Sequence, residues 1–223
     1  MATYTVAITG ASGSIYGVRL LTYLLKKKHT VYLTITKEGG LILKEEVGFD
    51  WQEDQVEKEM KPQKETEKKI EKKVEKKVEK KVEKKIRRDL KIKEANLHYF
   101  REDNLSASIS SGSAKVDAMI VIPCSMKSLS GIACGYANNL VERAADVMLK
   151  EGRTLILVPR ETPLNTIHLR NMLVLSEMGV KIIPAMPAFY SRPEKIDDLI
   201  DFMVGKVLDS LGIENNLFMR WKG

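Results

Sequence analysis

Cysteine is scarce in this chain: two residues, Cys124 and Cys134, among 223, with no CxxC pair and no cysteine–histidine cluster. A disulfide framework and the usual zinc-ligand spacings are thereby excluded. No metal is expected, and a reducing, cytoplasmic setting fits best. Three histidines, His29, His98 and His168, stand in no motif of their own and read as surface or structural residues. No apolar run approaches the roughly 20 residues that cross a bilayer. Met1 leads almost directly into the apolar Val6-Ala7-Ile8, so no signal peptide is expected. A GxGxxG fingerprint and a Gly-Lys-Ser/Thr P-loop are both missing. The expected molecule is soluble, with no membrane partner.

Charge of one sign is also scarcer than the net +7 implies. Residues 57–93 hold 17 Lys/Arg against 9 Asp/Glu, and outside them 20 basic residues face 21 acidic ones. Basicity therefore belongs to one low-complexity segment. Ile70, Val74, Val78, Val82 and Ile86 recur there every four residues, as do Glu71, Glu75, Glu79 and Glu83. A period of four predicts helix, with an apolar stripe drifting about 40° per repeat. Like charges stacked at i,i+4 oppose it, and Lys–Glu pairs at i,i+3 partly offset that. Two readings compete: a surface for nucleic acid or an anionic membrane, or a charge-laced helix protruding into solvent. No aromatic residue is interleaved for base stacking, so a protruding, largely solvated helix or helical hairpin, with room to pack against a neighbouring subunit, is expected, and no nucleic-acid partner.

What is present is an α/β alternation. Strand character at Tyr4–Thr9, 31–36, 118–122, 154–158 and 180–183 alternates with helical character at 15–27, 38–46, 141–150, 163–178 and 193–211. Apolar strands without polar alternation, separated by helices, predict a doubly wound parallel sheet covered on both faces. One domain over 1–223 is expected, interrupted by the charged helical insertion at 57–93. In such folds ligands bind at the carboxyl ends of the strands.

Several segments fall at that edge. Gly10-Ala-Ser-Gly-Ser-Ile-Tyr-Gly17 joins a strand to a helix, and free amides there suit a phosphate. An ordinary turn is the plainer reading, but Ser12 and Ser14 add hydroxyl donors. Pro123–Ser130 places Ser125, Lys127 and Ser128 after another strand. Cys124 lacks a nearby histidine and reads as a packing residue. Arg143 and Lys150, seven apart, share a helix face, either as phosphate ligands or as an exposed basic stripe. Val158–Pro163 presents Arg160 and Glu161 between two prolines, as a ligand loop or as a structural ion pair. Pro187–Tyr190 follows the last strand.

Taken in order, GASGSIYGVRLL (10–21), PCSMKSLSGIA (123–133), NNLVERAADVMLKE (138–151), LVPRETPL (157–164) and MPAFYSRPEKIDDLIDFMVGKVLDSLGI (186–213) resemble the UbiX-type flavin prenyltransferases. The resemblance spans all but about residues 50–105. It implies a Rossmann-like or flavodoxin-like fold, FMN as cofactor, and a homododecamer built from trimers. It implies transfer of the dimethylallyl group of dimethylallyl phosphate to N5 and C6 of reduced FMN, without metal, and a UbiD-type decarboxylase as recipient of the product. By position, Gly10, Ala11, Ser12, Thr36, Ser125, Met126, Lys127, Ser128 and Arg160 would hold FMN. Arg143, Lys150, Tyr190 and Lys206 would meet the prenyl phosphate, some from adjacent subunits. Ser12, Glu46, Lys150 and Glu161 would be catalytic. Ser106–Gly112 matches a flexible Ser/Gly loop, and Trp221 a C-terminal tryptophan. Departures are the long charged stretch and Lys206, which can be Arg in relatives. A cysteine-decarboxylase type is the alternative, but Tyr16 stands where its histidine is wanted, and Ser-Met-Lys-Ser at 125–128 is not its PxMNxxM-like motif.

Overall fold

A computed structural model describes residues 1–51, 67–93 and 95–221, with the side chains of the charged helix described from residue 76 onward. Six strands, β1 (Thr3–Ile8), β2 (Thr30–Ile35), β3 (Leu97–Arg101), β4 (Ala118–Cys124), β5 (Thr154–Pro159) and β6 (Lys181–Ile182), form one sheet in the order β3-β2-β1-β4-β5-β6. All five pairings are parallel. The chain order reverses between β1 and β4, where a crevice opens in doubly wound sheets. Both sheet faces are covered. Val6, Ile8, Leu33, Ile120 and Ile156 pack one way, with α1 (Ser14–Lys26) and α7 (Ile196–Ser210). Ala7, Met119, Val121, Leu155 and Leu157 pack the other way, with α4 (Met126–Ala133) and α5 (Leu140–Lys150).

The remaining helices are α2 (Lys37–Val47), α3 (Glu67–Asp89) and α6 (Thr166–Glu177). Three differences from the sequence reading have local causes. Strand β3 is short and half-polar, and it follows the charged segment that masks it. Met126–Ala133, read as loop, is a helix because Ser125 caps it, its side chain accepting from Ser128 N at 3.2 Å. Helix α6 starts at Thr166 rather than Pro163, since Asn165 and His168 form a reciprocal capping box.

Helix α3 is the main correction. Residues 57–66 of the charged insertion lie outside the described residues, as do the side chains of Ile70 and Val74. From residue 76 onward the helix is docked on the sheet edge, not protruding into water. Val78, Val82 and Ile86 are buried, Ile86 completely. Its acids are spent on the edge: Glu83 accepts from Tyr99 N at 3.1 Å, Glu79 from Asn104 Nδ2 at 3.0 Å, and Asp89 from Trp51 Nε1 at 3.0 Å. Arg87 donates to the Leu97 carbonyl at 3.0 Å. The edge strand thus finds partners for backbone groups that the sheet leaves unpaired. Lys76, Lys77, Lys80, Lys81, Lys84 and Arg88 are left on the exposed side.

Candidate functional site

The rim at the carboxyl ends of β1 and β4 is tied together by Thr9. Its hydroxyl donates to the Pro123 carbonyl at 2.9 Å and accepts from Ser125 N at 2.8 Å. This locks the turn after β1 to the start of α4. Gly17 lets α1 lie close on β4, because a Cβ there would stand 2.5 Å from the Ile122 carbonyl oxygen.

The Gly10–Gly17 turn has a different electrostatic arrangement from the one its sequence predicts. Gly13, at φ 100°, begins α1 with no side-chain cap of its own. Glu46, from the last turn of α2, supplies it. Its carboxylate accepts from Gly13 N at 3.0 Å, Ser14 N at 2.9 Å and Ser14 Oγ at 2.7 Å. Partial burial opposes ionisation of Glu46. Hydrogen bonds from Ser12, Ser14 and Gly13 outweigh it and hold the carboxyl below its ordinary value. The amides expected to receive a phosphate are already taken by a carboxylate. Next to it, Tyr16 is half-buried; burial pushes its phenol up, the Arg160 guanidinium pulls it down, and Glu46 adds to the rise. Ser12, Tyr16, Glu46 and Arg160 therefore form one group.

A second anion-attracting point lies beside it. The amino ends of three helices meet here, α2 capped by Thr36, α4 by Ser125 and α5 by Asn139. They enclose a cavity of about 80 Å³ lined by Gly10, Thr36, Glu38, Ser125, Lys127, Ser128 and Asn139. Helix amino ends favour negative charge, and Lys127 adds a cation. Two carboxylates sit at the same point. Glu38 Oε1 lies 3.5 Å from Lys127 Nζ, and Glu102 accepts from Lys37 N at 2.8 Å. Backbone hydrogen bonding and Lys127 hold Glu38 below its ordinary value against partial burial. Burial raises that of Glu102 despite its bond to Lys37 N, with Glu38 adding to the rise. Gly10 is required: a Cβ there would fall 2.5 Å from Glu38 Cβ. Met126 is buried in the core and is not among the residues that line this cavity. Glu38, Glu102, Asn139 and Tyr16 are absent from the sequence-derived site. The signal for Glu38 is its place in the first turn after a threonine cap.

Other expected residues stand elsewhere in the single chain. Helix α5 begins at the ligand rim and runs back along the sheet, so Lys150 ends about 15 Å away, at 1.5 Å per residue. It pairs there with Glu151 at 3.6 Å. Arg143 donates to the Ser110 carbonyl at 3.1 Å and pairs with Asp146 at 2.7 Å. Arg143 thus lines the Ser106–Gly112 loop. Lys206 is exposed on α7. Tyr190 packs edge-on against Phe202 and Trp221. Glu161 is exposed and accepts from Thr162 N at 3.0 Å, with no ion pair to Arg160 among the described residues. Cys124 is fully buried, which pushes its thiol far above the ordinary value and fits packing. A larger open concavity of about 760 Å³ borders Tyr23, Lys27 and Arg220. It lies at the carboxyl end of α1, hence at the opposite rim.

A doubly wound sheet with helix amino ends gathered at its reversal point is suited to an anionic ligand such as a mononucleotide, and the Flavoprotein family matches residues 2–208, which makes the chain a flavoprotein. The flavin prenyltransferase UbiX of Halalkalibacterium halodurans is 47% identical over 218 residues, covering 98% of this chain and 92% of that one. A dodecameric FMN-dependent UbiX-like decarboxylase from Escherichia coli O157:H7 superposes with a TM-score of 0.77 at 40% identity, covering 99% of this chain and 100% of the other. The crystal structure of AnUbiX in complex with FMN and dimethylallyl pyrophosphate gives 0.78 at 36%, covering 100% and 98%. The chain belongs to the UbiX flavin prenyltransferase family. FMN-dependent cysteine decarboxylases are distant, with a TM-score of 0.51 at 15% identity, and share the fold alone.

Proposed function

We propose that the chain is a flavin prenyltransferase, joining the dimethylallyl group of dimethylallyl phosphate to N5 and C6 of reduced FMN. The observation that carries this reading is the meeting of Gly10, Thr36, Ser125, Lys127 and Ser128 in one cavity beside the Ser12–Glu46–Arg160 group. About 80 Å³ is too small for a ring system but suits a phosphate. Thr36, Ser125, Lys127 and Ser128 would hold the FMN phosphate at the three helix amino ends, with Tyr16 and Arg160 beside it for the rest of the flavin. Reduced FMN supplies an electron-rich acceptor. The protein supplies orientation and charge. Glu46, held ionised, or Glu161 accepts the proton that ring closure releases.

The cations expected at the departing phosphate are supplied by neighbouring copies. Lys150 is exposed at the far end of α5, and Arg143 is turned onto the Ser110 carbonyl and Asp146. Helix α6 buries only Leu175, leaving Ile167, Leu169, Leu173 and Met178 more than half exposed, apolar surface on two sides of the helix that suits contact with other copies. In the assembled protein Arg143, Lys150, Tyr190 and Lys206 stabilise charge as the phosphate separates. The product goes to a UbiD-type decarboxylase, and both act in the cytoplasm. Incubating reduced, FMN-loaded protein with dimethylallyl phosphate and weighing the flavin tests the reading. A gain of one dimethylallyl group supports it, and unaltered FMN refutes it.

A further inference from the structure

We infer that Glu38 sets the affinity of the flavin phosphate site: its carboxylate competes with the phosphate for Lys127 and so lets the modified flavin leave. The inference rests on the proposed function. In that reaction the flavin is consumed and must depart at every turnover, whereas a resident cofactor stays. A cavity receiving three helix amino ends and a lysine attracts anions strongly. The chain tempers this with acids of its own. Glu38 lies against Lys127, with both side chains more than half exposed and so free to exchange partners. Its stem cannot retreat, because Glu38 Cβ abuts Gly10 at the bottom of the same cavity. Glu102 on Lys37 N adds a second negative charge behind it. An arriving phosphate must displace Glu38 from Lys127, and a departing one is replaced by it.

The test uses the full chain carrying Glu38→Gln, which removes the charge and keeps the stem against Gly10. Dissociation constants for FMN and for riboflavin, which lacks the phosphate, are compared with single-turnover and steady-state rates. FMN should bind about five-fold more tightly, with riboflavin unchanged. The single-turnover rate should hold while the steady-state rate falls. Glu38→Asp should behave more nearly as wild type. Lys127→Gln should weaken FMN binding and abolish the effect of Glu38→Gln in the double variant, as coupled neighbours require. Equal tightening for both flavins, or no tightening for FMN, overturns the inference while leaving the prenyltransferase reading intact. Failure of wild type to bind FMN at all overturns both.

Discussion

Glu46 reaches from the last turn of α2 to the first turn of α1, and its carboxylate takes the donors that Gly13 and Ser14 would otherwise turn to a ligand. Two consequences belong to this residue. Its depressed ionisation means that it stabilises the fold above the ordinary carboxylate value of 4.5, and this contribution is lost as pH falls through the lower folded value. Glu46→Gln should cost roughly 1 kcal/mol at neutral pH, the usual worth of a capping side chain. The gap between variant and wild type in urea unfolding should close as pH drops below 4.5. The same variant should keep FMN but form little cyclised product; a normal yield by mass spectrometry would remove Glu46 from the chemistry. Gly17 gives a second test. Gly17→Ala places a methyl 2.5 Å from a backbone oxygen of β4, so a loss of about 1–3 kcal/mol in unfolding free energy is expected.

Among the elements, α3 shows how far an amino-acid repeat can be read and where reading stops. Its period announces a helix, and the helix exists. What the repeat cannot announce is a strand edge with unpaired backbone groups lying alongside, because β3 is only five residues long and follows the helix in sequence. Tertiary contact turns Glu79 and Glu83 inward and leaves Lys76, Lys77, Lys80, Lys81 and Lys84 outward. If that docking holds, Ile86→Ala should cost about 2–5 kcal/mol, and Glu83→Ala about 1–3 kcal/mol through loss of the bond that Tyr99 N donates to its carboxylate. A solvated helix would show changes within about 0.5 kcal/mol for either. Chemical denaturation separates the cases. The central strands were legible for the opposite reason: Val6–Ile8, Ala118–Ile122 and Thr154–Val158 are apolar on both faces, and burial on both faces is what such runs require. The caps Thr36 and Ser125 were legible as site residues, while Glu38 and Glu102 were not, since surface-type acids at helix starts carry no pattern that distinguishes them from ordinary first-turn acids.

At the scale of the whole molecule, the sequence motifs divide into two sets. One set, around Gly10, Thr36 and Ser125, converges within one chain. The other ends in Lys150, which α5 carries away from that chain's own rim as it runs back along the sheet. Leu173→Glu places a charge on the exposed side of α6. It should dissociate the assembly in analytical ultracentrifugation, leave the circular dichroism of the protomer unchanged, and abolish prenyl transfer while retaining some flavin binding. A fully active monomer would contradict the shared site.

The backward run of α5 also bears on how the enzyme behaves at low abundance. When a protomer carries the acceptor pocket but not the groups that receive the leaving phosphate, turnover per milligram is not a constant. It should fall with dilution and recover on concentration, with a rate law of higher than first order in polypeptide. Inactive chains lacking Lys150 and inactive chains lacking Ser12 should rescue one another when mixed.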